Sequence, residues 1–263
     1  MILQFEDLSI RYNGNKLAVD HVSISVPQGS ILVVVGESGS GKSTLIRSVI
    51  GLLSPGGEIT GGRILFLNED LYRLKPSQMH TIRGNRIAMV FQDARASLNP
   101  RRKIGSQFIE SLRSHTSLSV KEARQIAVTA LAGVSMPNPE RVMDAYTFEL
   151  SGGMCQRIAM AMVISEFKQP QLLLADEPTS SLDVTIQAQV VRQILGYRER
   201  YGTSIVLVTH NFGVAAYMAD HIAIMKEGRL VEWGERDQVV FSPQNEYTKK
   251  LLAAVPKMEV EFR

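Results

Sequence analysis

Apolar and polar residues take turns from Ile2 to Ile10 and again from Ala18 to Val26, whereas Ile31-Leu32-Val33-Val34-Val35 is apolar throughout. The first pattern predicts strands with one wet face and the second a strand buried on both. Asn13-Gly14-Asn15 and Pro27-Gln28-Gly29 supply turns between them. Helical spacing runs from Thr44 to Ile50 and ends near Ser54-Pro55-Gly56-Gly57. Gly61-Gly62 reads as a turn announcing a strand from Arg63 to Leu67; a short helix from Pro76 to Ile82 and a strand from Arg86 to Phe91 come next. From Ile104 to Glu166 the strand signals vanish, so a helical insertion interrupts a strand-rich domain. Its breaks fall at Gly133, at Met136-Pro137-Asn138-Pro139 and at Ser151-Gly152-Gly153, and its last helix is expected from Met154 to Glu166. Strands resume at 171–175, 204–208, 222–226 and 229–233, with a helix from Val184 to Tyr201 and a hairpin turn at Glu227-Gly228. The tail from Glu235 onward reads as helical and polar.

Between the buried strand and the first helix stands Gly36-Glu37-Ser38-Gly39-Ser40-Gly41-Lys42-Ser43-Thr44, which fits the Gly-x-x-x-x-Gly-Lys-Ser/Thr pattern. Glycines let the chain bend so that backbone N–H groups face inward, and the helix start adds partial positive charge, so the stretch predicts a phosphate cradle. Lys42 is expected to reach the terminal phosphates and Ser43 to ligate Mg²⁺. Asp176-Glu177 closes a second buried strand, where Asp176 suits a metal and Glu177 an attacking water. Gln92 and His210 also sit at strand ends, a favourable place for ligand-facing residues; singly, the first also reads as a loop residue and the second as a structural histidine. Ser151-Gly152-Gly153 gathers a hydroxyl and backbone amides at a helix start, either a second anion site or a plain N-cap. Tyr12 either stacks on a base or packs.

Composition narrows the partners. The chain has 263 residues, 44% hydrophobic and 21% charged, with a formal net charge of +3, which is the profile of an ordinary globular protein. Its densest basic cluster, Arg101-Arg102-Lys103, is a solvated loop rather than a nucleic-acid stripe, so no nucleic-acid partner is expected. No run approaches the roughly 18 apolar residues of a membrane span, and the start carries Glu6 and Asp7 without a basic region, so a cytoplasmic location is expected. Cys155 is the single cysteine, which excludes an internal disulfide; near a helix start it is either an acidified, redox-sensitive thiol or an inert substitution.

Taken together, these stretches resemble the ATP-binding cassette subunit of an ABC transporter. The likeness covers nearly the whole chain and keeps the family's order: A-loop Tyr12, Walker A Gly36 to Ser43, Q-loop Gln92, signature Leu150-Ser151-Gly152-Gly153-Met154-Cys155-Gln156, Walker B Leu172 to Asp176, Glu177, D-loop Ser180 to Asp183, and switch His210. The resemblance implies an α/β P-loop NTPase cassette with a RecA-like mixed-sheet core (1–103 and 167–240), an antiparallel β subdomain, a helical subdomain (104–166) and a C-terminal tail (241–263). It implies ATP held by Tyr12, the residues Gly36 to Thr44, and across a head-to-tail pair by Ser151, Gly152, Gly153, Gln156 and Asp183 of the other cassette. Mg²⁺ would be organised by Ser43, Gln92 and Asp176, and hydrolysis carried by Glu177, His210, Gln92 and Lys42. Phe91-Gln92-Asp93-Ala94-Arg95-Ala96-Ser97-Leu98-Asn99-Pro100 and the tail Ser242-Pro243…Tyr247-Thr248-Lys249…Leu251-Leu252 are similar to peptide and nickel importers, the signature wording leaning to the nickel branch. That implies two membrane permeases, a second, non-identical cassette, an extracytoplasmic substrate-binding protein, and a place on the cytoplasmic face of the membrane. An exporter cassette, a non-transport ABC ATPase and a non-hydrolysing regulatory subunit are the competing readings. Asn211 in place of the usual Asp after the switch His, Ala94 in place of a frequent Pro, and Cys155 depart from the family pattern.

Overall fold

A computed structural model describes residues 1–14, 16–114, 116–165, 169–179 and 184–254. In chain order, β1 (Leu3–Arg11), β2 (Leu17–Val26) and β3 (Ile31–Val35) lead into α1 (Lys42–Val49), and then into β4 (Glu58–Phe66), β5 (Glu69–Asp70), α2 (Pro76–Ile82) and β6 (Ile87–Val90). A helical stretch comes next, comprising α3 (Ala94–Ser97), α4 (Ile104–Arg113), α5 (Val120–Gly133), α6 (Pro139–Asp144) and α7 (Gly152–Val163). The chain continues through β7 (Leu172–Asp176), α8 (Val184–Tyr201), β8 (Ser204–Thr209), α9 (Phe212–Met218), β9 (His221–Lys226), β10 (Arg229–Glu235), α10 (Arg236–Phe241) and α11 (Glu246–Ala253).

Two sheets result, an antiparallel one in the order β2-β1-β4-β5 and a mixed one in the order β10-β9-β3-β8-β7-β6. Within the second, β6, β7, β8, β3 and β9 run parallel, and only β10 turns back, through the Glu227-Gly228 hairpin. Its central strands are apolar on both faces because both are covered. Leu32, Val34, Leu172, Leu174, Val206 and Val208 face a core shared with α1 and the antiparallel sheet. Their neighbours Ile31, Val33, Val35, Leu173, Ala175, Ile205 and Leu207 face a second core built with α8 and α9. The five-residue all-apolar run of β3 is therefore legible as it stands.

The helical stretch has its own apolar cluster, around Phe108, Leu112, Ala127, Leu131, Ile158 and their neighbours. It draws in Leu98, so this layer begins ahead of Ile104, where sequence periodicity starts it. Short caps set its boundaries: Ser119 Oγ accepts from Glu122 N at 3.3 Å while Glu122 Oε2 accepts from Ser119 N at 2.8 Å, a reciprocal box that starts α5.

Two expectations need correction. Gly61-Gly62 lies inside β4 rather than before it. At Gly62 (φ +75°) a Cβ would stand 2.3 and 2.4 Å from the carbonyl oxygens of Glu6 and Asp7, where the β1–β4 register shifts; the glycine serves a bulge with close backbone approach. The last helix of the insertion starts at Gly152, ahead of Met154, because Ser151 caps it, and it runs to Val163; Glu166 lies outside the described residues. Short α3 and β5, and α9, carried too little pattern to be anticipated. Asn15 and the Ser180–Asp183 stretch also fall outside the described residues.

Gly62→Ala is expected to lower unfolding free energy by about 2 kcal/mol or more, since a methyl must displace backbone at a positive φ. Urea denaturation measures this, and an unchanged midpoint would show that the bulge tolerates a side chain.

Candidate functional site

Parallel strands in register deliver their C-terminal ends to one edge of the mixed sheet. Val35 pairs with Thr209, Asp176 with Val208, and Val90 with Ala175, so the residues just past β3, β6, β7 and β8 meet at that edge. The Gly36–Thr44 loop, Gln92, Glu177 and His210 occupy those positions.

The loop wraps the Lys42 ammonium. Nζ donates to Gly36 O at 2.8 Å, Glu37 O at 2.7 Å and Ser40 Oγ at 3.3 Å, and the residue is 4% exposed. Burial pushes Lys42 below the ordinary lysine value, opposed by the carboxylates of Glu177, Asp176 and Glu37. The cation stands at the start of a helix whose N-cap Gly41 has φ +99°, so its charge adds to the partial positive charge of the helix N-terminus. The loop has no room to spare on its protein side. A Cβ at Gly36 would stand 2.2 Å from Met225 O and one at Gly41 2.1 Å from Ala18 O, while at Gly39 nothing lies within 4 Å.

Asp176 has no exposed surface and two partners. Ser43 Oγ donates to its Oδ1 at 2.7 Å, and Arg47 donates to its Oδ2 from Nε at 3.1 Å and Nη2 at 2.9 Å. Arg47 sits one helical turn beyond Ser43 on α1, so both reach the same carboxylate. Arg47 belongs to none of the motifs in the sequence; the signal it carries there is its i+4 spacing from Ser43.

Next to it Glu177 adopts φ +44°, a backbone state uncommon for a glutamate, held by donation of its N–H to Val208 O at 3.0 Å. That turn aims the side chain outward. Glu177 Oε2 lies 3.1 Å from His210 Nδ1 and accepts from Gln92 Nε2 at 3.4 Å. With His210 59% exposed and Glu177 14%, the trio forms a polar rim in front of buried Asp176. Tyr12 OH is 3.5 Å from Thr44 Oγ1, and its ring lies against Gly57, on a cavity of about 440 Å³ beside the loop. Asn211, the departure after His210, accepts from Gly213 N at 2.9 Å and Val214 N at 3.3 Å, capping α9 as an Asp would.

Ser151, Gly152 and Gly153 belong to the separate helical cluster. α7 packs on α3, α4, α5 and β6, whereas α1 packs on β2, β7 and β8. Ser151 Oγ accepts from Met154 N at 3.2 Å, and Ser151 and Gly152 are exposed. Gln156 is not: it is 2% exposed and its Nε2 is buried without a hydrogen-bond partner among the described residues. Cys155 is fully buried, and burial pushes its thiol up despite the Arg95 guanidinium beside it, which removes the redox-sensitive alternative. Arg95 also donates to Leu150 O at 2.7 Å, tying the segment after Gln92 to the residue before Ser151, a contact that no sequence signal announced. Asp183 lies outside the described residues.

Comparison with known proteins agrees with this geometry. Residues 19–180 match the ABC transporter family. The chain is 42% identical to the dipeptide transport ATP-binding protein DppD of Bacillus subtilis, over 95% of this chain and 74% of that protein. It is 40% identical to the oligopeptide transport ATP-binding protein OppD of the same organism, over 98% and 73%. Among solved structures, the dimeric post-hydrolysis state of the ATP-binding cassette MJ0796 bound to ADP and Pi superposes with a TM-score of 0.79 at 25% identity, covering 89% of this chain and 98% of that one. The cbiO1 protein of Clostridium perfringens, part of the ABC transporter complex cbiONQ, gives 0.75 at 26% identity, covering 97% and 96%.

Removing the guanidinium leaves a buried carboxylate with one partner. Arg47→Met is expected to cost about 2 kcal/mol of stability, below the range for a fully buried pair because Arg47 is partly exposed. A denaturant titration decides it: an unshifted midpoint would mean that Asp176 needs no counter-ion.

Proposed function

This chain belongs to the ABC transporter family and is an ATP-hydrolysing cassette, and on that footing we propose that it energises a membrane importer for peptides. The observation that carries the mechanism is the convergence of the Gly36–Thr44 loop, Asp176, Glu177, Gln92 and His210 at one sheet edge. Relatives named for dipeptide and oligopeptide transport support the peptide class.

In this reading the loop amides and Lys42 bind the phosphates of ATP, and Tyr12 lies beside the base. Ser43 and Asp176, 2.7 Å apart, would supply hard oxygens suited to Mg²⁺, and the amide oxygen of Gln92, past the end of the neighbouring strand, is assigned the third place. When bound, the ion neutralises charge on the phosphate oxygens. Glu177 orients the attacking water. The Nδ1–H of His210, directed at Glu177 Oε2, holds that carboxylate and leaves Nε2 for the γ-phosphate, while Gln92 steadies the same oxygen from the other side.

The second helix start acts on another subunit. Ser151 and Gly152, exposed on a layer distinct from α1, offer a lid to ATP held by a second cassette, which we take to be a non-identical paralogue; Asp183, outside the described residues, is assigned to the same nucleotide by the family resemblance alone. Gly153 contributes its amide to the same turn. Gln156 is buried in this structure, so its contact with that nucleotide requires α7 to move. A groove of about 400 Å³ lined by Phe91, Ser97, Leu98, Gln107, Glu110 and Met162 lies directly beyond Gln92. One permease docking there, with a second on the paired cassette, would place the chain on the cytoplasmic face of the membrane, beneath an extracytoplasmic binding protein. No helix among the described residues is long and apolar enough to cross a membrane, so that attachment runs through the permeases.

Glu177→Gln is expected to slow ATP hydrolysis by about 10²-fold or more in the assembled transporter while ATP still binds and paired cassettes accumulate. Phosphate release and gel filtration measure the two effects, and near-normal turnover would remove Glu177 from this role. Lys42→Ala should instead weaken nucleotide binding itself; an unchanged affinity in equilibrium titration would contradict the cradle.

A further inference from the structure

The stretch from Ser242 to Leu252 has no part in the chemistry above, yet the fold brings it to the phosphate loop. Glu232 anchors its start, accepting from Gln244 N at 2.7 Å and Asn245 N at 3.1 Å, and Asn245 Nδ2 donates to Val231 O at 3.2 Å. Asn245 Oδ1 then accepts from Tyr247 N at 2.8 Å and caps α11. Docked on β10 in this way, α11 presents Tyr247 to the second core, with Lys226 Nζ 5.0 Å from the centre of its ring. The Tyr247 hydroxyl reaches past that core and accepts from Glu37 N at 3.3 Å. Burial raises the hydroxyl above the ordinary tyrosine value, so it stays a neutral O–H.

Glu37 is also one of the residues that hold the lysine: its carbonyl oxygen accepts from Lys42 Nζ at 2.7 Å. Tyr247 therefore fastens one end of a residue whose other end fastens the loop cation. The same side of the loop is gripped twice more from the C-terminal third of the chain. Gly228 N donates to Ser40 O at 3.1 Å, and Met225 O closes on Gly36 so tightly that a Cβ there would stand 2.2 Å from it. Of these grips the one from Tyr247 comes through a helix, α11, held to β10 by the Glu232 and Asn245 contacts and to the second core by Tyr247, Leu251 and Leu252.

We infer that Tyr247 is a positioning residue for the phosphate loop, by which the C-terminal helix α11 sets the conformation of Glu37 and Lys42 and thereby the affinity of the site for nucleotide. The inference rests on the reading that ATP occupies this loop. It makes the tail a part of the nucleotide site, and by thermodynamic reciprocity it makes nucleotide a ligand of the tail: whatever α11 does for ATP affinity, ATP does for the docking of α11. The hydroxyl acts through the loop backbone, so its loss is felt in binding and KM with kcat little changed.

The test compares wild type with Tyr247→Phe, which keeps the ring in the second core and removes only the oxygen. The full purified chain is titrated with a fluorescent ATP analogue and Mg²⁺. A dissociation constant about three- to tenfold weaker in the Phe variant, at an unchanged melting temperature, is the expected result and matches the loss of one net hydrogen bond. Equal constants overturn the inference while leaving the ATPase reading intact. A wild-type chain that binds no nucleotide overturns both. Should the Phe variant melt early, hydrogen exchange on the wild type decides: backbone amides of 246–254 are expected to slow when Mg²⁺ and the analogue are added, and exchange that ignores them rejects the coupling.

Discussion

A carboxylate without access to water has to find its own positive charge and its own hydrogen-bond donors, and the architecture around Asp176 arises from that requirement. The residue ends a strand covered on both faces, so solvent cannot serve it. Ser43 and Arg47, four residues apart on α1, approach from one direction and occupy one oxygen each. For both to reach, α1 must start directly after the loop and lie over the ends of β7 and β8, against which it packs. The position of the phosphate loop is therefore tied to the ion pair behind it. A loop held this firmly from behind presents Lys42 to its front in a fixed place, which is the condition for electrostatic preorganisation.

The central strands and the loop could be read from the chain because their patterns admit few alternatives. An all-apolar run leading into a glycine-rich stretch with lysine and a helix has one physical context, and β3, α1, β7 and β8 appear where the pattern puts them. The helical layer was legible as a whole for the same reason, through the absence of alternation. What escaped depended on contacts between distant residues. Gly61-Gly62 carries a turn's composition, yet its glycines are required by the carbonyls of Glu6 and Asp7 on another strand. Arg47 and Arg95 look like exposed helix cations until the fold gives them a buried carboxylate and the Leu150 carbonyl. The strand-end positions of Gln92, Glu177 and His210 were visible, but their meeting on one carboxylate oxygen needed the parallel register to place them.

The two helix starts that look alike in composition differ in what surrounds them. At α1 the loop folds back over a buried lysine, and a carboxylate waits one turn along. At α7 the donors face outward, with the serine hydroxyl already engaged in its own cap and no lysine among the signature residues. The first gathers a cation, a hydroxyl and a carboxylate around one loop; the second leaves a helix start exposed with no cation in its first turn. That asymmetry is what supports the proposal of a site shared between chains, and it goes with the separation of the helical cluster from the sheet that carries the loop.

The lone thiol, sealed among the apolar residues of the helical layer and raised above its usual titration range, leaves the protein's outer face without reactive sulfur. A cysteine introduced at an exposed position such as Ser151 or Gly152 would then take up a maleimide dye or a spin label essentially by itself. The fold thus supplies a nearly silent background for distance spectroscopy, in which the position of the α7 start can be measured against a second labelled site.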